Sequence, residues 1–440
     1  MPGQRRFVRF RTFVSEIVAL VVFAAATLSM AAGQSETILH RFNPNTTDGY
    51  DPGGGLVADG AGNLYGVTSQ GGSADAGTVF ELSPPASGGR AWTETTLHDF
   101  LGGTDGADPL GALVFDKQGN LYGATVYGGA GINNNSNGTV FELTPPSSSG
   151  GAWGYAVIAS FDSGQVAVNP IGPLVIDVAG NVYGYSNGGN NNYVVCGGPC
   201  GNIFELQPPT EPGAAWTGSS IYNFATVGTT DGVGPNSIIL GGHGVLYGTT
   251  GGGGTGYFGT FFKLTPPSDS GGTWTEKILY NFTAANPVPF GGLIAGANGT
   301  FFGTTEGPNE LGTVFQLIPP SSGRGWSDSI LYTFTGGNDG STPMGVISDK
   351  SGNLYGVTIN GGIKSQSCIN GGCGAVFELS PPAASGSAWT ETTLHTFAGE
   401  NDGGNPKGPL VLRKGLLFGA TSYGGTPPYG SGGIVFRLVP

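Results

Sequence analysis

An all-β fold is what this 440-residue sequence predicts, and three observations lead to it. Short runs rich in Val, Phe, Tyr and Thr alternate with segments rich in Gly, Pro, Asp and Asn, which is typical of antiparallel strands joined by tight turns. No window combines a helical period with capping residues, so we expect almost no helix. The third observation is an internal repeat, which determines how the strands are grouped.

The repeat is marked by its aromatic residues. Each of the six tryptophans opens a run of alternating polar and apolar residues that ends in Phe, as in Trp92 to Phe100. This Phe, called the repeat Phe below, recurs at positions 42, 100, 161, 224, 282, 334 and 397.

Each copy of the repeat predicts four strands. In the first complete copy, the runs cover residues 56–58, 64–68, 78–82 and 92–100, and turn residues separate them. Four such runs indicate a four-stranded antiparallel meander. Pro84 and Pro85 follow the third run, and because proline has no amide donor we expect them to end that strand.

Seven such units predict a seven-bladed β-propeller, since one sheet cannot bury both of its faces and must pack between neighbours. The ends of the repeat favour a closed ring. Residues 36–42 resemble a fourth strand without the preceding three, and the last copy ends with a third strand. We therefore expect residues 36–42 to pair with residues 433–438, which would also cover an exposed sheet edge. An open solenoid is the alternative, but it needs no complementary missing strands.

Residues 1–33 lie outside the repeat and are predicted to be a cleaved export signal. Residues 17–30 are mostly apolar, small residues follow them, and four arginines precede them, at positions 5, 6, 9 and 11. The apolar run is shorter than the about 20 residues of a membrane anchor. The arginine pair leaves general and twin-arginine export both open. We expect residues 34–440 to form one propeller domain, secreted or periplasmic, with no membrane span.

The charge balance excludes two classes of partner. The formal net charge is −13, and the predicted signal carries four of the arginines. Nucleic acids and anionic membranes bind through clusters of Lys and Arg, and the rest of the chain has no such cluster. We therefore expect no nucleic-acid partner, and we make no prediction of the oligomeric state.

The stretch from Leu56 to Thr68, followed by Gly71–Gly72 and by Gly77 to Leu82, resembles the GloVer tandem repeat of exported bacterial proteins. Residues 115–125 and 347–358 match the same pattern. The resemblance implies a secreted or surface-attached protein from a family without an established activity. The Gly-Gly pair followed by Trp also resembles Kelch repeats, which is consistent with a propeller.

Histidine and cysteine residues are candidate sites with structural explanations. Three histidines occupy the position two residues before the repeat Phe, where other copies carry Tyr222, Tyr280, Tyr332 and Ala159, so we expect a scaffold role for His40, His98 and His395. His243 lies in a hairpin turn, and no histidine spacing suggests a metal site.

The pairs Cys196–Cys200 and Cys368–Cys373 predict two disulfides in loops between second and third strands. Each would contribute about 2 kcal/mol. A four-cysteine zinc site would require opposite sides of the ring to meet.

Two sets of aspartates recur. In the turn Asp-x-x-Gly-Asn the side chain can accept backbone amides, which predicts a structural role for Asp59, Asp116, Asp177 and Asp349. The second set follows the fourth strand, and comprises Asp48, Asp105, Asp231, Asp339 and Asp402. Each precedes Gly, with Pro three residues past that Gly. We expect these five around one channel mouth, where turn formation and the binding of a cation or of sugar hydroxyls are both open.

The loops between second and third strands vary most, and residues such as Tyr193, Tyr257, Phe258 and Tyr429 give them aromatic side chains. A constant scaffold with variable loops on one face is how repeat proteins present a binding surface. We favour a non-enzymatic exported propeller that binds a polysaccharide or a cell-envelope component. A carbohydrate-active enzyme, either a hydrolase or a lyase, and a purely structural surface protein are the alternatives. No catalytic residue and no cofactor is predicted, with calcium the one ion that the aspartates suggest.

An enzyme would be favoured by a different arrangement of acids. Its catalytic residues would be unique to one or two blades and would converge on the channel, with one carboxylate desolvated. Glu306, Glu310 and Lys364 are each unique to one copy, but nothing in the sequence links them.

Overall fold

The computed structural model describes residues 36–86, 89, 91–129, 137–148, 150–161, 169–186, 200–211, 213–224, 230–269, 271–307, 311–321, 325–365, 368, 371–384, 387–425 and 432–440. All paired strands are antiparallel and form seven sheets. The described helices are three single 3-10 turns, at Gly103–Asp105, Gly242–Gly244 and Ala297–Gly299. The all-β prediction is therefore confirmed.

The first three blades follow the meander order that the repeat predicts. The chain starts with β1 (Thr37–Arg41), which belongs to the last blade. Blade 1 contains β2 (Tyr50–Pro52), β3 (Val57–Ala58), β4 (Leu64–Gln70), β5 (Thr78–Ser83) and β6 (Thr93–Asp99). Blade 2 contains β7 (Ala107–Phe115), β8 (Leu121–Tyr127), β9 (Thr139–Thr144) and β10 (Gly154–Ser160). Blade 3 contains β11 (Val175–Ile176), β12 (Val182–Ser186), β13 (Asn202–Gln207) and β14 (Thr217–Asn223).

The remaining blades repeat this order. Blade 4 contains β15 (Gly232–Leu240), β16 (Leu246–Gly253), β17 (Thr260–Thr265) and β18 (Thr275–Asn281). Blade 5 contains β19 (Pro289–Ala295), β20 (Phe301–Thr305), β21 (Thr313–Ile318) and β22 (Ser327–Thr333). Blade 6 contains β23 (Ser341–Ser348), β24 (Leu354–Asn360), β25 (Ala375–Ser380) and β26 (Thr390–Thr396). Blade 7 contains β27 (Gly404–Pro406), β28 (Val411–Arg413), β29 (Leu416–Tyr423), β30 (Ile434–Leu438) and β1.

Strand β1 closes the ring as predicted. It pairs with β30, with Thr37 opposite Arg437 and Arg41 opposite Ile434. A register shift between Ile38 and His40 matches the shift found between the third and fourth strands of the other blades. The chain therefore supplies a true fourth strand from its other end, and the open solenoid is excluded.

Phenylalanine pairs join every blade to the next. Each repeat Phe is at most 2% exposed, and its ring packs 5.0–5.3 Å from the third-strand Phe of the following blade. The two pairs that flank the closing strand, Phe397 with Phe436 and Phe42 with Phe80, have the same geometry as the other five. The core is therefore a ring of seven equivalent blade-to-blade contacts, which explains why the repeat Phe recurs.

The blades taper from the outer rim towards the axis. At the rim each tryptophan packs on an aromatic ring of the preceding blade, as Trp153 does on Tyr65 at 5.9 Å. At the other edge the first strands meet backbone to backbone: a Cβ added to Gly54 would lie 2.2 Å from the carbonyl oxygen of Gly111 in the next blade. Such an approach requires glycine. Large rings outside and glycines inside give each blade the wedge shape that a closed ring needs.

Candidate functional site

One face of the propeller carries two kinds of loop, which the main chain holds together. The loop between the second and third strands of a blade donates hydrogen bonds to the connection that precedes the blade, as in Gly129 N to Gly103 O at 2.8 Å and Gly254 N to Asp231 O at 2.8 Å. We call this side the loop face. Both loop types therefore lie on one face.

Seven residues on the loop face begin the first strands, and we call them the axial ring. Each precedes the Pro of its first strand and has a left-handed φ between 51° and 65°. Each also donates its backbone N–H to a carbonyl of the preceding blade. The ring consists of Asp51, Asp108, Asn169, Gly234, Val288, Thr342 and Asn405. Because the first strands meet at the axis, these residues surround the channel mouth, and the β-branched members show that the fold imposes the strained conformation.

Charge in the axial ring is confined to one sector. Asp51 and Asp108 lie in adjacent blades, and Lys407, which directly follows the first-strand Pro of blade 7, places its Nζ 3.2 Å from Asp51 Oδ1. The other ring members are uncharged. Burial, followed by the charge of Asp51, raises the pKa of the Asp108 carboxyl, and Lys407 only partly offsets this. The sector therefore contains an ion pair and a second carboxylate that lacks its own counter-ion.

Sequence analysis did not single out this sector. The available signal was the residue before the first-strand Pro, which is acidic only in blades 1 and 2. The aspartates that we predicted at the channel mouth lie three residues further upstream and recur in most copies. For locating this sector, a residue that differs from its equivalents in the other copies is more informative than a residue that recurs.

The five aspartates predicted at the channel mouth reach towards the outermost strands. Asp105 Oδ2 accepts the amide of Leu101 at 2.8 Å and lies 3.2 Å from His98 Nε2 on β6. Asp339 likewise accepts the amide of Thr335 at 2.8 Å and the hydroxyl of Tyr332 at 3.0 Å. No three of these carboxylates come within 4.8 Å of one another among the described residues. Asp105 and Asp339 thus each bond to the fourth strand that precedes them and to the start of the connection. Ligand binding by the five aspartates stays a prediction.

Of the other three aspartates of this set, two also bond to rings of the fourth strands and the third lies close to one. Asp402 Oδ1 lies 3.1 Å from His395 Nε2, and Asp231 accepts the hydroxyl of Tyr222 at 3.1 Å. Asp48 lies 3.4 Å from His40, outside hydrogen-bond geometry. These contacts agree with the scaffold role expected for the three histidines.

Four glutamates face these aspartates from the next blade, and we call the four sets boundary pairs. They are Glu36 with Asp402, Glu94 with Asp48, Glu276 with Asp231 and Glu391 with Asp339. Burial, and then the contact with Asp402, raises the pKa of Glu36 to about 8. Burial, and then the charge of Asp231, raises the pKa of Glu276 to about 7. The nearby aspartate of the boundary thus disfavours the ionised form of the half-buried glutamate.

The aspartates of the Asp-x-x-Gly-Asn turns have the structural role that was predicted. Asp116 Oδ1 accepts the amides of Gln118 and Asn120 at 2.8 and 2.9 Å, and its Oδ2 accepts the Asn120 side chain at 2.9 Å. Asp59, Asp177 and Asp349 form equivalent bonds. These turns join the first and second strands and therefore lie on the side opposite the loop face.

One predicted disulfide is confirmed. Cys368 and Cys373 are bonded, and a Cβ added to Gly404 of β27 would lie 2.8 Å from Cys368 Sγ, so the bridge packs against the first strand of blade 7. Cys200 is buried and disulfide-bonded, while Cys196 lies outside the described residues. The predicted signal at residues 1–33 lies outside them as well.

Comparison with known proteins agrees with the repeat geometry. Residues 22–196 and 154–370 match the Gloeobacter/Verrucomicrobia repeat, so the matches cover more than half of the chain. The chain belongs to the Gloeobacter/Verrucomicrobia repeat family. In this member of the family, the aromatic and glycine residues that define the repeat are those that join the blades. No curated protein sequence matches the chain.

Solved structures are similar to this Gloeobacter/Verrucomicrobia repeat protein at low identity. A polysaccharide lyase of family 25, an ulvan lyase, has a TM-score of 0.54 and 9% identity, with 91% of this chain and 95% of the lyase covered. The aldose sugar dehydrogenase of Streptomyces coelicolor, solved with bound PQQ, has a TM-score of 0.42 and 13% identity, with 93% and 98% covered. These likenesses concern the fold alone. None of the described helices is long and apolar enough to span a membrane.

Proposed function

We propose that this protein is an exported, non-enzymatic propeller that binds a polysaccharide or a cell-envelope component through its loop face. The observation that carries the proposal is the distribution of side chains on this face. Main-chain bonds help to hold its loops, so exposed side chains that make no contact with the scaffold can differ from blade to blade. The disulfide at Cys368–Cys373 and the repeat family support export to an oxidising compartment.

Exposed apolar and aromatic side chains on the loop face suit a glycan. Tyr127 and Tyr257 are 53% and 62% exposed, and Leu101 and Ile363 are also exposed on this side. A tyrosine ring can pack against the C–H face of a sugar while its hydroxyl forms a hydrogen bond. Carboxylates such as Asp51 accept hydrogen bonds from sugar hydroxyls. A neutral, polyhydroxylated ligand therefore fits both the chemistry and the net negative charge.

A glycan array followed by calorimetric titration, with and without calcium, tests this proposal on the purified protein. We expect Tyr257→Ala to weaken binding at least tenfold, because the ring supplies contact area at little entropic cost. Val178→Ala is the matched control, since Val178 is 85% exposed in a first-to-second-strand turn on the opposite side. If no glycan or envelope fraction binds, or if both variants weaken binding equally, the loop face is not the binding surface and a structural role is favoured.

A carbohydrate-active enzyme is the second candidate, and the axial ring favours it. Burial and the charge of Asp51 in the neighbouring blade raise the pKa of Asp108, and acid–base cleavage of a glycosidic bond uses two carboxyl groups of which one has a raised pKa. In that role Asp108 would protonate the leaving oxygen, and Asp51 would act as base or nucleophile. Release of reducing ends from polysaccharides, reduced at least a hundredfold by Asp108→Asn and unchanged by Asp231→Asn, would establish it. Absence of release from every polysaccharide tested would reject it.

A further inference from the structure

The boundary between blades 6 and 7 differs from the other described boundaries in how closely its possible metal ligands approach one another. Here Glu36, just before β1, meets His395 of β26 and Asp402 of the following connection. One atom from each of these three side chains lies within 4.8 Å of the other two. No other described group of three His, Cys, Asp or Glu side chains comes this close. The boundary therefore brings one imidazole nitrogen and two carboxylates together.

A bound cation would satisfy two of these polar groups. Glu36 Oε1 is shielded from solvent and has no hydrogen-bond partner among the described residues. His395 Nε2 points at Asp402 Oδ1 at 3.1 Å, a contact that is favourable only when this nitrogen carries a proton or binds a cation. Arg41 of β1 is nearby, but its guanidinium donates to the backbone carbonyls of Asn401 and Gly425. A buried, unpartnered carboxylate oxygen is costly.

We propose that Glu36, His395 and Asp402 bind a divalent metal ion of the zinc type and thereby fasten the strand that closes the ring. Neutral imidazole and carboxylate are ligands that Zn²⁺ accepts together, with a fourth position left for water. A hard ion such as Ca²⁺ prefers oxygen ligands only. The mixed ligand set therefore points to the zinc class rather than to calcium.

The other boundaries explain why the site would be confined to this one. Between blades 3 and 4, Tyr222 occupies the position of His395 and donates its hydroxyl to Asp231, so no imidazole nitrogen is present. Between blades 1 and 2, His98 is present, but Tyr155 replaces the glutamate and stacks on the imidazole at 3.5 Å. Between blades 7 and 1, His40, Asp48 and Glu94 offer the same types of donor atom, but these atoms do not all come within 4.8 Å of one another. Among the described boundaries, only the one between blades 6 and 7 brings an imidazole and two carboxylates that close together.

The position gives the ion a structural consequence. Glu36 adjoins β1, which reaches blade 7 from the far end of the chain, whereas His395 and Asp402 belong to blade 6 and its connection. A metal ion held by all three would link the closing strand to a second blade. Since an ion that binds only the folded state stabilises it, the effect should concentrate on β1.

Calorimetric titration of the chelator-treated full-length protein with ZnCl₂ at pH 7 tests the proposal. We expect one zinc ion per chain, a loss of this binding in His395→Tyr, and an affinity at least tenfold lower in Glu36→Gln. Tyrosine occupies the His395 position in three other blades, so His395→Tyr should fold, and its melting temperature in chelator verifies this. His98→Tyr is the matched control and should bind zinc as the unaltered protein does.

Hydrogen exchange locates the ion independently. Zinc should slow exchange of the β1 amides at least tenfold in the unaltered protein and leave them unchanged in His395→Tyr. The proposal is overturned if zinc does not bind, if His395→Tyr and His98→Tyr lose binding equally, or if zinc leaves β1 exchange unchanged. These outcomes are independent of any glycan, so they do not bear on the proposed function.

Discussion

The loop face has an inner circle, which is the axial ring, and an outer circle beside the fourth strands. The two circles differ in the atoms that hold neighbouring parts of the chain together. In the outer circle, rings and carboxylates such as His98 and Asp105 bind each other and the backbone, so the side chains themselves hold the fold. In the axial ring, main-chain N–H groups make the contacts between blades, and glycines such as Gly77 give space to the Pro of the next blade. Side chains at the axis vary more than those at the rim, although the Asn169 and Asn405 side chains donate to the Val126 and Ile359 carbonyls of the preceding blades at 2.8 and 2.9 Å. A ligand site is expected where the scaffold does not depend on the side chains.

The largest predicted loss of stability comes from disrupting the backbone contact between first strands near the axis. Gly54→Ala places a Cβ against the Gly111 backbone at 2.2 Å, whereas the same change at Gly60 meets nothing within 4 Å. Neither glycine has a left-handed φ, so the two substitutions differ mainly in the space available. We expect Gly54→Ala to lower the free energy of unfolding by about 3 kcal/mol and Gly60→Ala to leave it nearly unchanged, as measured by denaturant unfolding. Equal losses would show that backbone contact between first strands does not limit closure.

A smaller loss of stability is predicted at the rim, where an aromatic side chain fills the same boundary between blades 1 and 2. Trp153→Ala removes the contact with Tyr65 at 5.9 Å, and because Trp153 is only half-buried we expect a loss of about 2 kcal/mol. Leu101→Ala is the control, since Leu101 is 65% exposed and its truncation should be close to neutral. A loss at Trp153 no larger than that at Leu101 would mean that the tryptophans do not join the blades.

The sequence predicted the parts of the fold that recur and missed the part that does not. Seven copies of the repeat Phe, six of Trp and seven of a Tyr-Gly or Phe-Gly pair made the blades and the pairing of β1 with β30 predictable, because each copy obeys the same packing rule. The axial ring was missed because its conformation depends on contacts with neighbouring blades. In the sequence Asp51 and Asp108 resemble ordinary turn residues, whereas in the structure their amides donate to the carbonyls of Gly432 and Ala76. The boundary pairs join residues of different blades, as Glu36 and Asp402 show, so no local pattern reveals them.

The smallest predicted effect concerns the pH dependence of a rim contact. Glu276 has a pKa of about 7 in the folded protein against 4.5 for an ordinary glutamate, through burial and the charge of Asp231. The folded state thus binds this proton more tightly than the unfolded chain does. Stability from this group is complete below pH 4.5 and is lost as the pH rises through 7.

Glu276→Gln keeps the shape and removes the ionisation. We expect the variant and the unaltered protein to unfold with equal free energies at pH 4, and the variant to be more stable at pH 8 by about 1 kcal/mol, a figure reduced for solvent screening of a half-exposed group. Asp231→Asn should weaken the same pH dependence from the other side of the boundary. A difference between Glu276→Gln and the unaltered protein that is the same at pH 4 and pH 8 would contradict the pairing, because a contact that does not titrate cannot depend on the shared proton.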